Sequence, residues 1–349
     1  MSVARPPGSQ HGGYAAIGEL FHRYLTGLIL AMVVEVGTDR SAKIVKGLFR
    51  RQQEERFLPG LEKLGLVGEP DAVACAKYHY LSNHLGGVSV VYIAESDEKA
   101  WVKYVPPRWI FDGAAIAGIP TEISRAMLWG WHANNGVLLG NHRLGFVCTG
   151  QTVDAMPGLE GYYIQEPEPL LPEHRLRFRF GESCPPIVAE HLPTLNSNDW
   201  PAERRAKAAR NYSMDYIRNL VPVMSEQLGP LAAHGILRST GRKIGMQYSS
   251  VVRKKLETDN PGEVLAGLLE AQGDVVVLDG NDVTQRTWRL MRGLEAESTP
   301  EWMDGIAGLW EGVLQVLDPD IRLDSLERLD SGDERFLWRL SQRGRPNIY

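Results

Sequence analysis

Two stretches of this sequence, 14–181 and 203–343, run through the same order of hydrophobic patterns, and such self-similarity constrains the fold before any single residue does. In the first stretch, apolar residues at helical spacing fill 14–64 with a break near Gly37 and Asp39, which predicts two helices. Asp39 is a candidate cap for the second helix and Gly65 a candidate stop. A third helix is expected from Asp71, after Pro70, to about Asn83. Gly86 and Gly87 then release the chain into VSVVYIAE and KAWVKYV, whose β-branched and aromatic content reads as strand. Helical spacing returns from Ile119 to Val137, and HRLGFVCT and HRLRFRF come next as strands.

The second stretch repeats that succession. Helices are expected over 201–231 and 232–256, and a third from Pro261 to Gly273. The strands DVVVLDG and DVTQRTWRL, a helix from Pro300 to Leu317, and the strands DIRLDSLERL and ERFLWRLS complete it. Landmarks fall in register: Gly87 with Gly273 and Trp101 with Trp288, at separations of 186 and 187. Trp131 matches Trp310 and Arg143 matches Arg322, both at 179, and Arg177-Phe178 matches Arg335-Phe336 at 158. The expected fold class is therefore α+β: two tandem diverged copies of a helix-then-antiparallel-strand module in a pseudo-twofold arrangement. A Pro-rich polar linker, 182–202, joins a first module at 14–181 to a second at 203–343 that serves mainly as scaffold. The fall from 179 to 158 assigns the first copy an inserted loop, 151–172, to be either a lid over a pocket or a solvent-side ornament. Pro157-Gly158 and Gly161 supply it with turn chemistry.

Bulk properties exclude several classes. Apolar residues at 43% and charged residues at 23% are globular proportions, and a net charge of −5 with dispersed Lys and Arg argues against a nucleic-acid partner. The basic run Arg204, Arg205, Lys207 and Arg210 has the spacing of a solvated helix face. Three cysteines, Cys75, Cys148 and Cys184, lack the paired spacing of a disulfide framework or a four-cysteine zinc site. Residues 1–13 lack the apolar core of a signal peptide. Leu25 to Val36, shorter than the ~20 residues of a membrane span and bracketed by His22, Arg23 and Glu35, reads as a buried helix. A cytoplasmic protein with reduced thiols and no membrane partner is the expectation, with homodimerisation left open.

Reactive side chains are unevenly shared. The first copy holds His22, His79, His84, His132, His142, His174, Cys75 and Cys148, whereas the second holds His234 and no cysteine. Cys148 ends a predicted strand, ahead of Thr149-Gly150 and the acids Asp154 and Glu160. A nucleophilic thiolate needs a base or a positive neighbour. His142 lies on the same strand with matching parity, and His132 lies on the preceding helix. Against this stands the reading of Cys148 as a small buried apolar residue. His79 and His84, five apart and so about 140° apart around a helix, suit joint metal ligation poorly. They either touch a ligand or satisfy helix-end carbonyls. With no HExxH, CxxC or DxDxDG, neither a metal nor a cofactor is expected. Arg238, Gly241, Gly245 and Tyr248 share a helix face suited to close packing or to approach of a ligand.

The Arg238–Tyr248 helix, Gly273-Asp274-Val275, Trp310-Glu311-Gly312, and Ser331-Gly332-Asp333 through Phe336 to Leu340 resemble the L-2-amino-thiazoline-4-carboxylic acid hydrolase family. That family in turn resembles the small ligand-binding module of a vinyl-reductase protein of bacteriochlorophyll synthesis. Trp131, Cys148 and Arg177 to Phe180 carry the likeness into the first copy. The resemblance implies hydrolytic opening of a C–N bond in a small cyclic amide or amidine bearing a carboxylate. It places a nucleophile at Cys148, with Glu327 as that residue's counterpart in the second copy. The sequence expectation is then Cys148 as nucleophile, His142 or His132 as base, and Asp154 or Glu160 as orienting group. Arg143 or Arg242 would hold the substrate carboxylate, with Tyr162, Tyr248, His79 and His84 as further contacts. A non-catalytic small-ligand sensor or carrier using the same pocket is the alternative.

Overall fold

The protein is described by a computed structural model over residues 7–110, 118–186 and 192–342. Residues 187–191 of the expected linker, and residue 343 at the end of the expected second module, lie outside the described residues. The chain is α+β with two small sheets.

Two compact units form, Met32–Arg205 and Met1–Ala31 together with Ala206–Tyr349. This corrects the expected boundary, because most of the first helix, α1 (Pro7–Val36), packs with the second half of the sequence. Its apolar side chains explain why. The Phe21 ring meets Trp310 edge-on at 5.9 Å. The Tyr24 hydroxyl donates to the Leu237 carbonyl at 2.8 Å, and Ile244 fills the space beside Gly27. By length and composition His11–Val36 could also cross a membrane, so the apolar run is longer than the sequence reading allowed. Leu20, Phe21, Tyr24, Leu25, Leu28 and Ile29 are nonetheless buried within the unit.

The first-half unit begins with α2 (Thr38–Leu64) and α3 (Asp71–Leu85). Gly65 ends α2 in the left-handed conformation at φ 69°, as expected. Asp39 is not its cap; Gly37 precedes the helix and Asp39 sits in the first turn, where a carboxylate still favours the exposed N–H groups. The strands β1 (Val90–Ser96) and β2 (Lys99–Tyr104) follow, then α4 (Thr121–Gly130) and the short α5 (Asn135–Leu138). β3 (Leu144–Gly150), β4 (Leu159–Gln165) and β5 (Leu176–Phe178) complete a sheet of order β1-β2-β4-β3-β5. All its pairs are antiparallel except β3 with β5. One face, carrying Tyr104, Phe146 and Tyr163, meets the helices. The other gathers Trp101, Val147 and Tyr162 into a separate apolar cluster.

The expected inserted loop is therefore wrong. Residues 151–172 contain β4, hydrogen-bonded to β2 and β3 in the middle of the sheet. Gly161 is not turn chemistry: a Cβ there would lie 2.2 Å from the Val147 carbonyl, so the position admits only glycine for reasons of packing.

The second-half unit takes up α6 (Ala202–Leu228) from Ala206 onward, followed by α7 (Pro230–Leu256) and α8 (Pro261–Gln272). β6 (Val276–Asp279), β7 (Asp282–Gln285), α9 (Pro300–Leu317), β8 (Ile321–Glu327) and β9 (Phe336–Gln342) complete it. Its antiparallel sheet has the order β6-β7-β9-β8. β9 lies between β7 and β8, and β4 lies between β2 and β3, whereas β5, which carries Phe178, is an edge strand. The match of Arg177-Phe178 to Arg335-Phe336 fails on that ground. Trp101 and Trp288 also part company, since Trp101 is inside β2 and Trp288 lies beyond the end of β7.

Glycines bring α7 and α9 into backbone contact. A Cβ on Gly245 would meet the Leu309 carbonyl at 2.3 Å, and one on Gly312 the Arg242 carbonyl at 2.2 Å. The shared face of Arg238, Gly241, Gly245 and Tyr248 is thus a packing face. In α6, Arg204, Arg205 and Lys207 are exposed as expected, but Arg210 is buried and donates to the Ala271 carbonyl at 2.9 Å.

Candidate functional site

Beneath the first sheet lies a buried polar hub. The Tyr104 hydroxyl bridges His79 Nδ1 at 3.0 Å and His132 Nε2 at 3.1 Å. The two imidazoles stack at 4.1 Å, with the Tyr163 ring nearly parallel to both. Asn135 donates to the Tyr163 hydroxyl at 2.9 Å, and its carbonyl accepts from Gln53 Nε2 at 3.0 Å. Gln53 in turn accepts from Asn134 at 2.9 Å. Burial, reinforced by the Arg108 charge, pushes His79 down to about 3. Burial also pushes His132 well down, helped by His79 and Arg108. Both rings are neutral near pH 7, and His132 Nδ1 is the one ring nitrogen of the pair with no hydrogen-bond partner among the described residues.

Cys148 stands apart from this hub. It sits on β3, fully buried, and its thiol contacts the Gly150 carbonyl at 3.4 Å. Burial pushes it up to about 12, and the nearby Arg125 only partly offsets that. Among the described residues no imidazole hydrogen-bonds with it. His142 is exposed at the other end of the strand region, and His132 is engaged with Tyr104. The expected thiol–imidazole pair is therefore not assembled, because parity put the residues on one face without bringing them within reach.

The remaining expected residues scatter. Asp154 accepts from Thr121 and from Gln151 at 2.9 Å, tying the turn after β3 to α4. Glu160 pairs with Lys103 at 2.9 Å. Arg143 donates to the Glu166 carbonyl at 2.7 Å. Tyr162 is on the opposite face of the sheet, packed on Trp101 at 4.6 Å. His84 is exposed and stacks on Tyr80 at 5.6 Å. Tyr248 is buried under Arg23 at 5.5 Å.

Arg242 has a different setting. In the second-half unit, α7, α9 and β8 enclose an open groove of about 690 Å³ lined by Arg238, Arg242, Arg322 and Arg328. Asp304, Glu311 and Asp324 share the lining, with Leu323 as its aliphatic member. Arg238 contacts Glu311 and donates to the Asp304 carbonyl at 2.8 Å. Arg242 donates to Gln315 Oε1 at 2.8 Å. Among the described residues no cysteine or histidine lines the groove, and Ser325 is its one hydroxyl.

Sequence reasoning missed Tyr104, Gln53 and Asn135 in the hub, and it put Tyr163 in the inserted loop and not on a central strand. Amides on the apolar stripe of a helix, as at Gln52 and Gln53, were the available signal, since buried amides require partners. Among the described residues no cluster of three or more His, Cys, Asp or Glu could hold a metal ion. No family model, curated protein or solved structure matches the chain.

Proposed function

We propose that this chain is a small-ligand sensor or carrier rather than a thiol hydrolase, with the ligand seated in the arginine-lined groove of the second-half unit. The observation that carries the reading is the groove itself: an open space with guanidinium groups suited to a carboxylate, in whose lining no cysteine or histidine stands beside Ser325 among the described residues. The sealed, protonated thiol of Cys148 weighs against the hydrolase reading. The resemblance to the amino-thiazoline carboxylate hydrolases then concerns the ligand class, a small carboxylate, and not the chemistry.

The reading includes tandem duplication, for which three features speak. The two four-strand cores share one order. Gly87 and Gly273 both have positive φ, 77° and 99°, at the entry to the first strand. A bulge interrupts pairing between Cys148 and Gly150 in β3, and between Ser325 and Glu327 in β8. In this register the counterpart of Cys148 is Ser325, not Glu327. The extra strand β5 has no equivalent among the described residues of the second sheet. Phe178 of β5 pairs with Cys148 and covers Arg125 at 4.7 Å, whereas Ser325 opens onto the groove. The space that β5 fills in one copy is thus the ligand seat in the other.

Calorimetric titration with 2-amino-thiazoline-4-carboxylate tests this. Wild type and Cys148→Ser are expected to bind equally without forming ring-opened product, and Arg242→Gln to bind roughly tenfold more weakly. Turnover by the wild type that Cys148→Ser abolishes would overturn the proposal.

A further inference from the structure

The groove is electrically polar along its length. At one end two guanidinium groups share one carboxylate: Arg238 contacts Glu311, and Arg242 Nε lies 3.9 Å from the same side chain. The hydrogen bond of Arg242 goes instead to the neutral amide of Gln315. At the other end Arg328 is bound by Asp304, the more exposed partner of that pair, and from outside the lining by the buried side chain of Asp330 at 2.7 Å. Arg322 and Asp324 on β8, 2.7 Å apart, cancel one another. Asp304 and Glu311 lie on the same face of α9, two turns and so about 10 Å apart.

Resting on the groove's proposed role as a ligand seat, we infer that it takes a short zwitterion, its carboxylate on Arg242 and its ammonium group toward Asp304. A second carboxylate at the far end would meet Asp304, whose partner Arg328 is shared with Asp330, and an uncharged tail would leave Asp304 without a ligand partner. Leu323 offers aliphatic contact to the methylene segment linking the two charges.

Three probes of equal chain length separate the contributions: 6-aminohexanoate, hexanoate and adipate, each titrated calorimetrically into the full chain, Arg242→Gln and Asp304→Asn. In wild type, 6-aminohexanoate should bind roughly tenfold more tightly than adipate, with hexanoate between them. Asp304→Asn should collapse that preference, and Arg242→Gln should weaken all three. Melting curves of both variants check that they fold, and the wild-type ranking is a test that needs neither variant. Adipate binding as tightly as 6-aminohexanoate overturns the charge assignment and leaves the groove as the seat. If Arg242→Gln binds as wild type does, or no probe binds at all, the zwitterion and the ligand seat fall together.

Discussion

At the scale of the residue, Tyr104 organises the first-half interior, since one hydroxyl serves two buried imidazoles. Tyr104→Phe strands His79 Nδ1 and His132 Nε2, and should lower stability by about 1–3 kcal/mol in urea unfolding. Both histidines have folded pKa values below their unfolded value of about 6.5. Their contribution is thus present above that pH and is lost as pH falls towards about 3 for His79. The thiols give a second residue-scale expectation. Cys184 is part-exposed while Cys75 and Cys148 are buried, so iodoacetamide should label Cys184 first in the native protein, as read by mass spectrometry. Fastest labelling at Cys148 would contradict its sealed environment. The sequence singled out His79 and His132 but could not show that they meet each other rather than Cys148. Strand parity fixes a face, whereas reach depends on how α3 and the segment after α4 lie over the sheet.

At the scale of the element, helices were the most legible part, because period and glycine stops are local signals; α2, α8 and α9 end where the sequence indicated. β4 reads as a loop in the sequence because its first five residues are all buried, which erases the alternation that marks a half-exposed strand. Shortening 151–172 should therefore abolish folding of the first-half unit instead of sparing it, visible as loss of its cooperative unfolding. The α7–α9 contact makes a similar demand. Gly245→Ala forces a methyl against a backbone carbonyl and should cost about 1–3 kcal/mol or more. Asp274, after α8, accepts from Gln285, Thr287 and the Arg289 N–H, yet burial raises it to about 6. Its raised folded pKa means that its contribution is present below about 4 and is lost as pH rises through about 6. Asp274→Asn should flatten that window in pH-dependent melting.

At the scale of the whole molecule, the two units should respond oppositely to acid. The histidine hub favours the first-half unit above about pH 6.5, and Asp274 favours the second-half unit at lower pH. The partition of α1 was not legible, because its apolar stripe says that it is buried but not against which helices. The groove was only half legible: Arg242 was named, while Asp304, Glu311 and Arg328 become its neighbours only when α7, α9 and β8 are brought together. The measurement that bears most directly on a ligand seat in the groove is amide hydrogen exchange with and without saturating 6-aminohexanoate. Protection confined to α7, α9 and β8 is the predicted result. Protection of β3 and α3 around Cys148 and His79, with none along the groove, would contradict it.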